Sequence, residues 1–408
     1  MTESKDAPIQ YHHHGRFRVL GGVLPDAITA YQTFGDKSNP CIVFPTCYGG
    51  KLDDQTYMIG EDKALQPSKY FIVTFALFSN GESTSPSNTP PPYNGPYFPA
   101  VSYEDNIHAQ YEVLTKILGI QKIFAVIGFS MGGQQAYYWP VMYPDYVERF
   151  IPICGSAKTS PHNKCFLEGP KAALVASKDF DNGHYKTVPQ IGIRAFGRAY
   201  SAWAYGQTWF RNHGYLHDGK YADLDSFLRE DWEAGYLGWD ANDLITLLHT
   251  WQAGDVSRIR DGGNYEACLS KIKAKGLVMP SKTDLYFPPE DSQNEVSHLM
   301  DAKLVVIDSV WGHMAGGGSN AIDDEFIKNE YYEHGRFKVA GGVLPNAITA
   351  YRTYGNPNNP CTVFPICYGA KLSFEAVIPT TWGHAAGGGE NPADVSFITE
   401  RIKEFFET

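Results

Sequence analysis

The sequence predicts an α/β fold, a mostly parallel central sheet carrying an inserted helical cap. Three observations predict it. Short apolar runs alternate with helical patterns. One of those runs leads directly into a glycine-flanked serine and then a helix. A stretch rich in Trp and Tyr, near 157–272, interrupts the strand rhythm before it resumes.

Each element can be justified in turn. CIVFPT (41–46), FIVTFALF (71–78), KIFAVIG (122–128) and RFIPICG (149–155) read as buried strands, followed later by GLVMPS (276–281) and LVVIDS (304–309). Continuous apolar runs of this length suit a parallel sheet covered on both faces. Between them, SYEDNIHAQYEVLTKILG (102–119) has helical periodicity, a serine to cap its start and a glycine at its end. Residues 79–99 form a long Pro/Ser/Asn-rich loop, of a length usually tied to function or mobility. GIRAFGRAYSAWAYGQTWF and ANDLITLLHTWQAG are helical and aromatic. Their position between two strands makes 157–272 a cap over the C-terminal strand edge. An ordinary helical excursion is the alternative.

The last part of the chain repeats the ends of the first. Residues 14–52 return as 334–372, with 28 identities over 39 positions and no gap. VVIDSVWGHMAGGGSN (305–320) returns as VIPTTWGHAAGGGEN (377–391), and nothing corresponds to 53–304. The expected organisation is therefore a full domain over 1–333, then a partial duplicate over 334–408. The duplicate holds the N-terminal strands, the final histidine loop and a helix. Without the central strands it cannot build a core of its own.

Bulk properties exclude several classes of function. Net charge is −11 and no Lys/Arg stripe is present, which argues against a nucleic-acid partner. No apolar stretch reaches about 18 residues, so no membrane span is expected. The polar start, MTESKDAPIQ, lacks the apolar core of a secretory signal. Seven dispersed cysteines without CxxC spacing fit free thiols in a cytoplasmic protein. No metal is expected. The His12-His13-His14 tract looks metal-binding only superficially, because its counterpart at 332–334 reads Tyr-Glu-His.

The chemistry resides in Gly128-Phe129-Ser130-Met131-Gly132, a G-x-S-x-G pattern between a strand and a helix. Such a turn exposes a serine hydroxyl, and the glycines let the backbone turn and the substrate approach. A serine needs a base to become a nucleophile. In the chain order serine, acid, histidine, the partners are Asp284, in SKTDLYFPP, and His313, in WGHMAGGG; each follows a strand. Asp308 and Asp291 are weaker candidates for the acid, and His108 and His249 read as packed or solvated. The oxyanion donors expected are the Met131 amide and the Cys47 amide, within Thr46-Cys47-Tyr48-Gly49-Gly50. A reactive Cys47 thiol is the competing reading of that loop.

GFSMGGQQAYYW, PDYVERFIPICGSAKTSPHN, KGLVMPSKTDLYFPPED and WGHMAGGG together resemble the homoserine O-acetyltransferase family of α/β-hydrolase proteins. The resemblance spans residues 14 to about 333. It implies an α/β-hydrolase core with a helical lid and acyl transfer through an acyl-serine on a Ser130-Asp284-His313 triad. It also implies acyl-CoA as donor with no bound cofactor, permits a homodimer, and points to Arg194 in the lid as a substrate-binding residue. Two departures bear on specificity. The residue after the catalytic histidine, an aspartate in that family, is Met314 here and Ala385 in the duplicate. The oxyanion loop reads Pro-Thr-Cys-Tyr-Gly instead of His-Ala-Leu-Thr-Gly. An apolar side chain cannot pair with an ammonium group, so a less polar acceptor or ester, of secondary-metabolite type, is expected in place of homoserine.

The expected activity is serine-dependent acyl transfer to water or an alcohol, on a small molecule. His313 is the expected base because NAIDDEFIKNEYYE can close the first domain without the tail. His384 is the alternative, reached only if the tail replaces 304–333. The rival to an enzyme is a non-catalytic homologue whose triad the rearranged tail disrupts.

Overall fold

The computed structural model describes residues 7–333. Eight strands form one sheet: β1 (Gln10–Val19), β2 (Gly22–Phe34), β3 (Cys41–Pro45), β4 (Phe71–Phe75), β5 (Ala125–Phe129), β6 (Arg149–Ile153), β7 (Lys275–Val278) and β8 (Ala302–Leu304). Their spatial order is β1-β2-β4-β3-β5-β6-β7-β8. The two N-terminal strands pair antiparallel with each other, and β2 runs antiparallel to β4; all later pairs are parallel.

Side chains alternate across the parallel strands and divide the core into two layers. Val43, Val73 and Val126 face one layer with Ile107, Leu114 and Trp139. Those partners come from α1 (Tyr103–Glu112), the helical turns just after it, and α2 (Met131–Met142). Ile42, Phe44, Ile72 and Ile127 face the other layer with Met58, Leu65 and Ile327. The predicted helix begins at Ser102, whose side chain and that of Asp105 cap each other's backbone amides.

Helices fill the interval between β6 and β7: α3 (Pro161–Val175), α4 (Gln190–Ala204), α5 (Gln207–Arg211), α6 (Leu224–Phe227), α7 (Ala234–Tyr236), α8 (Ala241–Ala253) and α9 (Tyr265–Leu269). They form a helical insertion between these two strands. After β7 come α10 (Pro289–His298) and α11 (Ala321–Glu333). Among the described residues no helix is long and apolar enough to cross a membrane.

One expectation needs correction. The last strand is Ala302–Leu304, where the sequence pointed to 304–309. Beyond Leu304 the pairing thins to spaced bonds, Val305 N–H to Val278 O, Ile307 N–H to Pro280 O and Lys282 N–H to Ile307 O, with one isolated bridge at Ser281 and Ile307. Ser309 then bonds Asp323 on α11 at 2.7 Å, which draws the chain out of the sheet. The 79–99 loop packs against the sheet. Ser79, Asn80, Ser83 and Ser85 are buried, and Ser83 bonds the Ala30 amide on β2. The duplicate at 334–408, with His384, lies outside the described residues.

Candidate active site

The strand β5 ends at Phe129, and α2 begins at Met131. Ser130 between them has φ 57° and ψ -120°, a backbone conformation rare for a residue with a side chain. The Ser130 amide donates to Ile153 O on β6 at 2.9 Å, which helps hold the turn. Glycine is demanded on both sides. A Cβ on Gly128 would lie 2.1 Å from Gly132 O, and one on Gly132 would lie 2.8 Å from Pro45 O. The motif is thus the tight packing of a strand against the first turn of a helix, with the hydroxyl at its apex.

Asp284 follows β7 and His313 follows β8. His313 Nε2 lies 2.8 Å from Ser130 Oγ, and His313 Nδ1 lies 2.7 Å from Asp284 Oδ2. The other carboxylate oxygen, Oδ1, accepts from the amides of Tyr286 at 2.8 Å and Phe287 at 3.1 Å. The three residues are nearly sealed: Ser130 is 2%, Asp284 3% and His313 4% exposed. The rings of Phe129, Tyr286 and Phe287 pack around the imidazole.

The two loops that bring acid and base together are tied to each other. Thr283 Oγ1 donates to Ser309 O at 2.9 Å and accepts from Gly312 N–H at 3.0 Å. The residue before the aspartate therefore binds the turn before the histidine.

Cys47 follows β3, and the Met131 amide lies at the start of α2. Neither amide has a hydrogen-bond acceptor among the described residues. Burial pushes the Cys47 thiol up to about 12, with Asp54 adding to the shift. A thiol so disfavoured as thiolate is a poor nucleophile, which supports the backbone reading of this loop.

Glutamines that sequence reasoning missed orient that loop. Gln135 Nε2 donates to Thr46 O at 3.1 Å and to Met131 O at 3.3 Å. Thr46 C=O and Cys47 N–H belong to one planar peptide, so fixing the carbonyl fixes the direction of the amide. Gln135 Oε1 accepts from Gln110 Nε2 at 2.8 Å, and Gln110 Oε1 accepts from Trp139 Nε1 at 3.2 Å. Gln55 Nε2 donates to Pro45 O at 2.8 Å. The available signal was a pair of glutamines in the apolar stretch FSMGGQQAYYW, since amides buried there must find partners.

A cavity of about 330 Å³ opens above Ser130 and His313, a volume that suits a small ligand. Its walls include Tyr48, Tyr57, Tyr200, Tyr205, Trp232, Tyr236, Trp239, Tyr286 and Met314, with carboxylates at Asp54 and Asp231. Among the described residues, none that lines it is a lysine or arginine. Arg194, the expected substrate-binding residue of the lid, does not line it. Its guanidinium pairs with Glu233 at 3.2 Å on the cap. The weaker candidates lie apart from the triad. Asp308 pairs with Lys282 at 2.7 Å, Asp291 sits on α10, and His108 and His249 are exposed on α1 and α8.

The alpha/beta hydrolase fold family matches residues 40–187. A probable esterase of Corynebacterium glutamicum is 36% identical over 324 residues, covering 77% of this chain and 91% of that protein. An ethyl acetate hydrolase of Pseudomonas veronii is 33% identical over 326 residues, covering 76% and 92%. A homoserine O-acetyltransferase of Trichormus variabilis is 29% identical over 330 residues, covering 77% and 89%. The solved acetylester hydrolase from Corynebacterium glutamicum superimposes with a TM-score of 0.77 at 32% identity, covering 80% of this chain and 95% of that one.

Proposed function

The chain belongs to the α/β-hydrolase fold family, in the group that holds acetyl esterases and homoserine O-acyltransferases, and from that premise we propose that it is a serine esterase cleaving short-chain acyl esters of small uncharged alcohols. The observation that carries this reading is the run of contacts from Asp284 Oδ2 through His313 to Ser130 Oγ, at 2.7 and 2.8 Å. It opens into a cavity that no lysine or arginine lines among the described residues.

The geometry supports the following roles. Asp284 accepts a hydrogen bond from the Nδ1–H of His313, which leaves Nε2 free to take the Ser130 proton as Oγ attacks the acyl carbon. The Met131 and Cys47 amides receive the developing oxyanion, each worth roughly 3 kcal/mol of barrier. Imidazolium then protonates the leaving alcohol. Water, activated by the same nitrogen, resolves the acyl-serine.

Three observations favour water over an acyl-CoA and amino-acid pair. The polyphosphate of an acyl-CoA seeks cations, and Asp54 and Asp231 line the cavity instead. Met314, next to the base and on the cavity wall, offers nothing to an ammonium group. Identity to the two esterases, 36% and 33%, exceeds the 29% to the homoserine O-acetyltransferase.

The test is Ser130→Ala assayed with ethyl acetate and p-nitrophenyl acetate, beside fluorophosphonate labelling of the wild type. Labelling and hydrolysis that both vanish in the variant support the reading. A folded wild type that resists the probe supports a non-catalytic homologue. Turnover that needs acyl-CoA and an alcohol acceptor supports the transferase.

A further inference from the structure

The sequence placed no metal on this chain, because the counterpart of the His12-His13-His14 tract at 332–334 reads Tyr-Glu-His. Strand alternation reopens the question, since a site need not use all three. His13 points away from its neighbours and meets Asp26 at 3.0 Å on the surface. His12 and His14 share the opposite face of β1, ring edge to ring face, with centroids 4.5 Å apart. Onto that face α1 brings Glu112, whose Oε2 lies 3.0 Å from His14 Nδ1. Among the described residues this is the one group of three such side chains whose donor atoms all lie within 4.8 Å of one another.

We propose that His12, His14 and Glu112 bind a divalent transition cation of the zinc class, at a site separate from the active site. Two imidazoles and one carboxylate are a donor set that zinc takes, with water completing a tetrahedron. Bonds of about 2 Å in that geometry place donor atoms about 3.3 Å apart. The His14 and Glu112 atoms already stand near that separation, and a His12 ring nitrogen lies within 4.8 Å of both.

The outer contacts fit as well. His14 Nε2 meets the buried Thr29 hydroxyl at 2.8 Å, the kind of partner that fixes the orientation of a ligating imidazole. The His14 side chain has no exposure, so its orientation is set by packing. Lys116 pairs with the other carboxylate oxygen, Oε1, at 2.8 Å and leaves Oε2 to the cation. On binding, the ion takes the place of the proton between His14 Nδ1 and Glu112 Oε2, and the neutral ring carries its proton on Nε2, which donates to Thr29 Oγ1. The bound ion would clip the edge strand β1 to α1.

The experiment uses the full chain, stripped with a chelator. Zn²⁺ alone is titrated against a chromophoric competitor, Co²⁺ absorption reports coordination, and thermal unfolding is followed with and without Zn²⁺. The expected result is one equivalent bound, a midpoint that rises with Zn²⁺, and a tetrahedral Co²⁺ spectrum. His12→Ala and Glu112→Gln should each weaken binding about tenfold or more, while His13→Ala should not. Glu112→Gln keeps size and hydrogen bonding, so its loss cannot be assigned to misfolding once its unfolding midpoint without metal matches the wild type. Zn²⁺ that fails to bind the folded wild type, or binds the His12 and Glu112 variants as tightly, overturns the proposal. Neither outcome touches the esterase reading.

Discussion

Replacing Asp284 by Asn should cripple the enzyme without loosening its fold, and the structure says why. Asp284 Oδ1 receives two backbone amides, at 2.8 and 3.1 Å. An amide nitrogen cannot accept them, so the Asn oxygen must take that place. Its NH₂ group then faces His313 Nδ1, where Oδ2 stood at 2.7 Å. Nδ1 is forced to accept, the ring proton moves to Nε2, and Nε2 can no longer take the serine proton. The expected loss is roughly 10⁴-fold in kcat, about 5 kcal/mol of barrier, with residual rate from the oxyanion hole and the cavity. KM should change little, because no contact to substrate is lost. The assay is steady-state hydrolysis of p-nitrophenyl acetate together with the rate of fluorophosphonate labelling, and urea unfolding serves as the control. A folded variant that loses less than about tenfold in kcat would refute the tautomer argument and, with it, the role of His313 as base.

Two more predictions test groups outside the triad. Gln135→Leu should lower kcat by about 10- to 100-fold with KM within about twofold, since it frees the Thr46–Cys47 peptide to turn, and Gln110→Leu should do the same more weakly; equal losses in binding and turnover would point to general disorder of the site. Glu295 is enclosed, bonded to Tyr137, Tyr265 and the Ala157 amide, and burial raises its pKa from 4.5 to about 7. The folded state then holds a proton that the unfolded chain has lost, so this contribution is full below pH 4.5 and falls away as pH rises to 7. Glu295→Gln should remove that dependence and raise stability at pH 8 by up to about 3 kcal/mol, read from urea unfolding at pH 5 and pH 8; a variant with the wild-type slope between those values would contradict it.

Much of the fold and of the candidate site was legible along the chain. Parallel strands buried on both faces must be apolar throughout, so CIVFP, FIVTF and AVIGF announced themselves. The G-x-S-x-G turn is local geometry, so its glycines and the serine at its apex can be read without knowing the rest. The N-terminal hairpin and the end of the last strand were less visible, because edge strands alternate or end through contacts made elsewhere. Arg194 was drawn toward substrate by resemblance alone; a carboxylate on another cap helix, Glu233, claims it.

By itself, then, the sequence determined the periodicities, the nucleophile turn and the order in which acid and base appear, because each depends on neighbours within a few residues. The tertiary structure alone decided which side chains meet. It set His313 between Ser130 and Asp284, aimed the Cys47 peptide through Gln135, walled the cavity with cap aromatics, and carried Glu112 to a histidine 98 positions away. Distances of about 3 Å between residues far apart in the chain follow from how sheet and helices pack. No pattern of spacing along the chain encodes them.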